Sequence, residues 1–152
     1  MEAINIKKGG VELLNEIKET WEMLNKHHEE KSLNFKDRFA NFNFHEREKD
    51  LIKKTETGEI LVLIPFIGNK KAGHCVSSHN NNGKGEIETL YIKNEFRKYG
   101  LGKLMMEKSL KWLKESDVNN IDILVAAGNE EVLPFYERFG FKNAGIKVKK
   151  TL

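Results

Sequence analysis

The 152-residue chain predicts an α+β fold, a central mixed but mostly antiparallel sheet with helices on both faces. Three observations carry this. Between residues 59 and 93, three apolar or β-branched runs are separated only by short turns, the pattern of an antiparallel meander. Before the meander, apolar residues recur at three and four positions, as on an amphipathic helix. From its last strand onward the order is strand, helix, strand, helix, strand, which makes the sheet mixed and covers both of its faces.

In chain order, Ala3 to Ile6 alternates weakly and reads as a short first strand. From Val11, the spacing of Leu14, Ile17, Trp21 and Leu24 predicts a helix. "SLNFKDRFANFNF" gathers Phe35, Phe39, Phe42 and Phe44; Phe35 and Phe39 share a helical face, so a short second helix is expected. "HEREKDLIKKT" continues helically until "ETGE". Glu59 to Ile67 reads as a strand with little exposed face, "GNKK" as a turn and Ala72 to His79 as the return strand. "NNNGKG" is rich in residues that tolerate positive φ, and Glu86 to Lys93 is the third strand. Helix 100–116 sets Leu101, Leu104, Met105 and Trp112 on one arc and Lys103, Glu107, Lys111 and Lys114 on the other. A strand at Ile121 to Ala127, a helix at 130–139 ending at Gly140, and a last strand at Ala144 to Lys150 complete the prediction.

Composition narrows the function. A length of 152 residues suits one domain spanning 1–152 with its own core. Twenty-six basic against 23 acidic residues leave +3, too mild and too spread for nucleic acid to be the main partner. The one cysteine, Cys75, cannot form an intramolecular disulfide and makes a cysteine metal site untenable; within a strand it reads as a buried, inert thiol. The N-terminus lacks a signal-peptide core and the longest apolar run is too short to span a membrane, so the expectation is a cytoplasmic protein with no membrane partner. Adjacent His27 and His28 make a poor metal pair, and His74 and His79 have opposite strand parity; no metal is expected.

The stretch "FRKYGLGKLMMEKSL" opens a helix with Arg97, Lys98 and Lys103 and carries no acid until Glu107. A helix N-terminus is positive, so cations there are out of place unless an anion arrives from outside. Gly100 and Gly102 let backbone N–H groups turn toward such an anion. A P-loop is excluded, because Leu104 follows Gly102-Lys103 and no glycine sits five positions before Gly102. A dinucleotide fingerprint is poor, with Met105 in place of its third small residue.

Arg97-x-x-Gly100-x-Gly102, after a strand and opening a helix, resembles the pyrophosphate loop of the GNAT N-acetyltransferase superfamily. "EIETLYIKNEFRKYGLG" is similar to that family's strand-to-loop segment, and "NEEVLPFYERFGF" to its second signature. The resemblance spans essentially the whole chain and is strongest from Gly85 to Phe141. It implies acetyl-CoA as cosubstrate, with the diphosphate seated on Arg97, Lys98, Tyr99, Gly100, Leu101, Gly102 and Lys103. Backbone groups of Leu90, Tyr91 and Ile92 would bind the pantetheine arm and the thioester carbonyl. Asn129, Phe135 and Tyr136 would complete the cofactor contacts.

The implied reaction is direct attack of a small-molecule or peptide amine on the thioester in a ternary complex. Tyr136 would protonate the leaving thiolate, although it also suits packing beside Phe135 and Phe139. Glu88 would act as base, directly or through water, and Glu86 two residues away would raise its pKa by repulsion. Both carboxylates equally suit solvating the strand or attracting a cationic acceptor, and Asn129 equally suits an N-cap. Pro134 suits a helix that begins near it. The phenylalanines from Phe35 to Phe44 read as core in a region that walls the family's acceptor pocket. Relatives often carry a C-terminal hairpin that can mediate dimers; room for one strand after Phe141 weakens the expectation of a homodimer here. The alternative function is a non-catalytic acyl-CoA-binding sensor or interaction module, and the joint presence of Tyr136 and Glu88 favours the enzyme.

Overall fold

The computed structural model describes residues 2–152. Strand β1 (Ile4–Gly9) leads through a 3-10 stretch, Val11–Ile17, into α1 (Lys18–Lys31). Short α2 (Lys36–Ala40) and α3 (Phe44–Lys53) follow, and α3 runs on into a 3-10 turn at Lys54–Glu56. The α3 start is set by Asn43, whose Oδ1 accepts the Glu46 N–H at 3.0 Å. The meander comprises β2 (Gly58–Ile67), β3 (Lys70–Lys71), β4 (Gly73–Asn80) and β5 (Lys84–Ile92). A 3-10 stretch at Asn94–Tyr99 precedes α4 (Leu101–Glu115), β6 (Asn120–Ile123), a turn at Glu130–Val132 and α5 (Leu133–Glu137).

The sheet runs in the order β1-β2-β4-β5-β6, with β3 paired to β2 off this path. Every pairing is antiparallel except β5 with β6. Strand β2 shows why a continuous apolar run was needed. Leu61 and Leu63 pack with Leu101, Met105, Met106 and Leu113 of α4, while Ile60, Val62 and Ile64 pack with Leu14, Ile17, Trp21 and Leu51 on the opposite face. A strand buried on both sides has no polar alternation to show.

Three expectations are corrected. No strand forms at Ala144 to Lys150; residues 141–152 have no regular structure, and Ile146 and Val148 are each 89% exposed. Alternation supplies an apolar face, but a strand also needs hydrogen-bonded neighbours, and none lies beside this segment. Strand β6 ends at Ile123 instead of Ala127, because its pairing to β5 stops at Ile87↔Ile123. The last α-helix is confined to Leu133–Glu137 with Pro134 in its first turn, where a missing N–H costs nothing.

Candidate active site

Strand β5 is held on both edges only over its first half. Its parallel pairing to β6 runs from Lys84↔Asn120 to Ile87↔Ile123. Beyond that, from Thr89 to Ile92, β4 is its only strand partner among the described residues. The Lys93 N–H to Ala72 O bond sets the phase of the β4 ladder. Tyr91 turns its main-chain groups to His74, contrary to the expectation for it, while those of Leu90 and Ile92 face the open edge with no sheet neighbour. Polar backbone kept from water needs such a neighbour. The β4 register shifts as this edge opens: Val76 faces Thr89 and Ser77 faces Ile87, leaving Glu88 as the extra residue of a β-bulge. As a result Glu88 and Thr89 both turn toward α1 and α3, while Ile87 and Leu90 pack on the α4 side.

The open edge leads into the glycine loop. Gly100 caps α4 with φ +70°, and a Cβ there would meet nothing within 4 Å. Glycine is needed for the left-handed backbone, which costs another L-residue about 1–2 kcal/mol. The first turn of α4 has no acidic residue and no side-chain cap, so the positive end of its dipole is uncompensated from within. Gly102 lies in that turn, and a Cβ on it would sit 3.4 Å from the Phe135 ring, so α5 rests on the start of α4.

The cations are partly used already. Arg97 Nε donates to Ile92 O at 2.9 Å, and the guanidinium lies 5.6 Å over the Tyr91 ring, tying loop to strand. Lys98 lies 5.6 Å over the Tyr99 ring. Lys103 reaches Glu107 at 3.8 Å, an exposed pair of small worth. Leu101 is fully buried, so its side chain serves the core and only its main chain faces the loop.

Tyr136 on α5 packs edge-on to Phe135 at 5.4 Å and to Phe141 at 6.2 Å. Burial, with a smaller contribution from Cys75, pushes its phenol up to about 12, so it keeps its proton across the neutral range. Asn129 occupies the N-cap position of the Glu130–Val132 turn but its side chain makes no capping bond; its Oδ1 instead meets His27 Nε2 at 3.2 Å. The same loop is pressed against the end of α1. Gly128 has φ +98°, and a Cβ there would come within 2.2 Å of Lys31 O.

Glu88 sits in a charge-neutral cluster that sequence spacing could not reveal. Its side chain is 1% exposed. Lys54 Nζ pairs with Glu88 Oε2 and, at 3.2 Å, with Glu86 Oε1. Arg47 Nη2 donates to Glu88 O at 3.0 Å and to Oε1 at 3.1 Å, and Ser78 Oγ donates to Oε2 at 2.5 Å. Burial favours protonation of Glu88, but the bonds from Lys54 and Ser78 and the two cations outweigh it and hold the carboxyl below the ordinary value. Glu86 and Glu88 do share a face, yet the expected repulsion between them is cancelled: the shift is downward. Arg47, Lys54 and Ser78 are the residues sequence reasoning missed. Lys54 stands in an ordinary "LIKKT" helix end, and only tertiary structure carries it to β5.

The other candidates resolve as structural. His74 is buried, its Nδ1 2.6 Å from Thr20 Oγ1 and its Nε2 2.9 Å from Thr89 Oγ1. Thr20 gives its proton to Ile17 O, so His74 donates from Nδ1 and accepts at Nε2. Burial, then the Arg47 charge, lowers its pKa to about 3. Cys75 is buried with its thiol pushed up to about 11 by burial, 3.4 Å from Ser109 Oγ, which suits the inert reading. Phe42 and Phe44 pack on Trp21 at 5.4 and 5.6 Å. Phe39 and Phe42 also line a cleft of about 470 Å³ between α1 and the α2–α3 segment. Among the described residues, no group of His, Cys, Asp and Glu could hold a metal ion, and no helix is long and apolar enough to cross a membrane.

A central mixed sheet with a splayed parallel pair, and a glycine loop opening the helix beyond it, define a class. The chain belongs to the Acetyltransferase (GNAT) family, whose sequence model matches residues 13–141. It is 30% identical over 91 residues to a mycothiol acetyltransferase of Propionibacterium freudenreichii subsp. shermanii, a match covering 60% of this chain and 27% of that relative. Solved structures share the fold at lower identity. A GCN5-related N-acetyltransferase from Ralstonia eutropha superposes with a TM-score of 0.75 at 14% identity, covering 98% of this chain and 99% of that one. A PaiA N-acetyltransferase from Thermoplasma acidophilum, solved with coenzyme A, gives 0.65 at 20% identity, covering 92% and 90%. An aminoglycoside acetyltransferase from an uncultured soil metagenomic sample, solved with sisomicin, gives 0.67 at 14% identity, covering 98% and 96%.

Proposed function

We propose that residues 1–152 act as an acetyl-CoA-dependent N-acetyltransferase in which the acceptor amine attacks the thioester directly. One observation carries this reading: the open edge of β5 runs into an α4 N-terminus that has no acid and no cap of its own. An extended cosubstrate with a diphosphate at one end and an acyl-amide arm fits that sequence of vacant donors. The coenzyme A in the PaiA structure and the acetyltransferase relatives support it.

In this reading the backbone N–H groups around Gly100 to Lys103 hold the diphosphate, helped by Lys98 and the remaining donors of Arg97. Main-chain groups of Leu90 and the Ile92 N–H pair with the arm and orient the carbonyl, gaining strength as negative charge develops on its oxygen, while Arg97 holds Ile92 O. Asn129 and Phe135 line the arm. The amine nitrogen bonds to the acetyl carbon as the carbon–sulfur bond breaks. Tyr136 donates to the departing sulfur, and its raised pKa keeps that donor proton in place. Before attack the acceptor ammonium gives a proton to Glu88 through water, which frees the nitrogen lone pair. Water must relay it because the carboxylate oxygens are already occupied by Lys54, Arg47 and Ser78.

The second reading, acyl-CoA binding without turnover, is favoured by that same occupied, lowered carboxylate. Thiol release from acetyl-CoA across a panel of amines separates the two. Amine-dependent release that falls in Tyr136→Phe supports the enzyme; saturable CoA binding with no release from any amine supports the binder. The diphosphate seat has its own test. Arg97→Glu or Gly102→Val is expected to weaken CoA binding in calorimetry, and unchanged affinity would sink that assignment.

A further inference from the structure

Where the β5–β6 pairing ends, two carboxylates meet two cations. Glu86 and Glu88 are matched by Lys54 and Arg47, with Lys54 bridging both acids and Arg47 fixing the bulge carbonyl as well. A bare carboxylate pair at this position would draw in a polycationic acceptor. Here the pull is cancelled by a residue of the chain itself.

We infer that Lys54 determines the acceptor class: by neutralising the Glu86–Glu88 pair it selects a weakly basic or singly charged amine, such as the α-amine of an amino acid or peptide, over a polyamine. The inference rests on the transfer reading above and deepens it. Its chemistry is consistent with the state of the acid. An alkylammonium holds its proton about six powers of ten more tightly than an ordinary glutamate, an α-ammonium only about three to four. The alkylammonium is the worse match by its own basicity, and Glu88, which despite burial is held below the ordinary glutamate value by its cations and Ser78, widens both gaps alike. Burial opposes the charge on Lys54, but Glu88 and Glu86 outweigh that and raise its pKa, so Lys54 stays an ammonium and not a competing nucleophile. Lys54 lies at the end of α3, in its 3-10 extension, and its side chain is 36% exposed. Glu88 is 1% exposed, so an incoming cation would feel the Lys54 charge together with the partly exposed Glu86 and not a bare pair of acids.

The test uses the whole chain loaded with CoA for binding and with acetyl-CoA for turnover. Spermidine is the polycation, and a dipeptide with a free α-amine is the weak base. In Lys54→Met, spermidine affinity by calorimetry, and the spermidine-to-dipeptide ratio of kcat/KM, should each rise about tenfold, the scale of one partly screened charge. Lys54→Gln should behave alike, Lys54→Arg should show no rise, and Lys54→Met combined with Glu86→Gln should lose the gain. Wild-type preference for spermidine, or a Lys54→Met protein whose spermidine affinity is unchanged, would overturn the inference. A binding gain without turnover of any amine in any variant supports the charge role of Lys54 and defeats the transfer reading instead.

Discussion

The two faces of β4 and β5 are built from different chemistry. Toward α4, Cys75, Ile87 and Leu90 meet Leu101, Met105 and Met106 in a wall that is almost wholly apolar. Toward α1 and α3, neighbouring positions on the same strands carry His74, Ser78, Glu88 and Thr89, each fixed by a named partner. One face is held by burial, which is non-directional and tolerant of shape-preserving change. The other depends on complete pairing, since a buried polar group that loses its partner keeps its desolvation penalty. The bulge at Glu88 is where the two regimes meet, because it turns two successive side chains to the polar face just as β6 ends.

The largest effect should come from the apolar face. Leu101→Ala removes a fully buried side chain under the glycine loop and should cost about 2–5 kcal/mol in denaturant unfolding. A cost under about 1 kcal/mol would show that α4 is not the anchor of that face.

On the polar face the signature is pH. His74 is held neutral by burial, with its pKa lowered to about 3, while the unfolded chain takes up the proton near 6.5. The contribution is therefore complete above pH 6.5 and is lost as pH falls toward 3, at about 1.4 kcal/mol per unit. His28, lowered to about 4 by burial and then by His27, has the same sign. Unfolding free energies between pH 6.5 and 4 should fall less steeply in His74→Gln than in the wild type. Equal slopes would mean that the imidazole does not titrate on unfolding.

In the transfer proposed above, Tyr136→Phe should lower kcat about a hundredfold while CoA affinity holds. A change confined to affinity would recast Tyr136 as a packing residue. The smallest effect belongs to the loop. Gly100→Ala meets no neighbour, so only the left-handed backbone is strained and stability should fall by about 1–2 kcal/mol.

The same division explains what was legible in the sequence. Apolar periodicity located the α4 face, the double-sided β2 and the meander, because burial writes itself into spacing. Gly100 and the acid-free turn after it were legible for a local reason, the φ and the dipole they imply. The polar face was not. The bulge exists only once β4 and β5 choose their register, and Arg47 and Lys54 reach Glu88 from 41 and 34 residues away. Ile146 and Val148 misled for the converse reason: their alternation is genuine, but pairing is a property of the neighbour.

Each face also holds one of the chain's two tryptophans. Trp21 is buried among Phe42 and Phe44 on the α1–α3 side, and the Trp112 ring lies tilted 5.0 Å from that of His79 on the α4 side. Their surroundings differ enough to separate their emission, one in a hydrocarbon pocket and one beside an imidazole that can quench it. Trp21→Phe and Trp112→Phe would each leave a single fluorophore in one layer. Stopped-flow traces from the pair could then time the assembly of the two layers independently, with no label added.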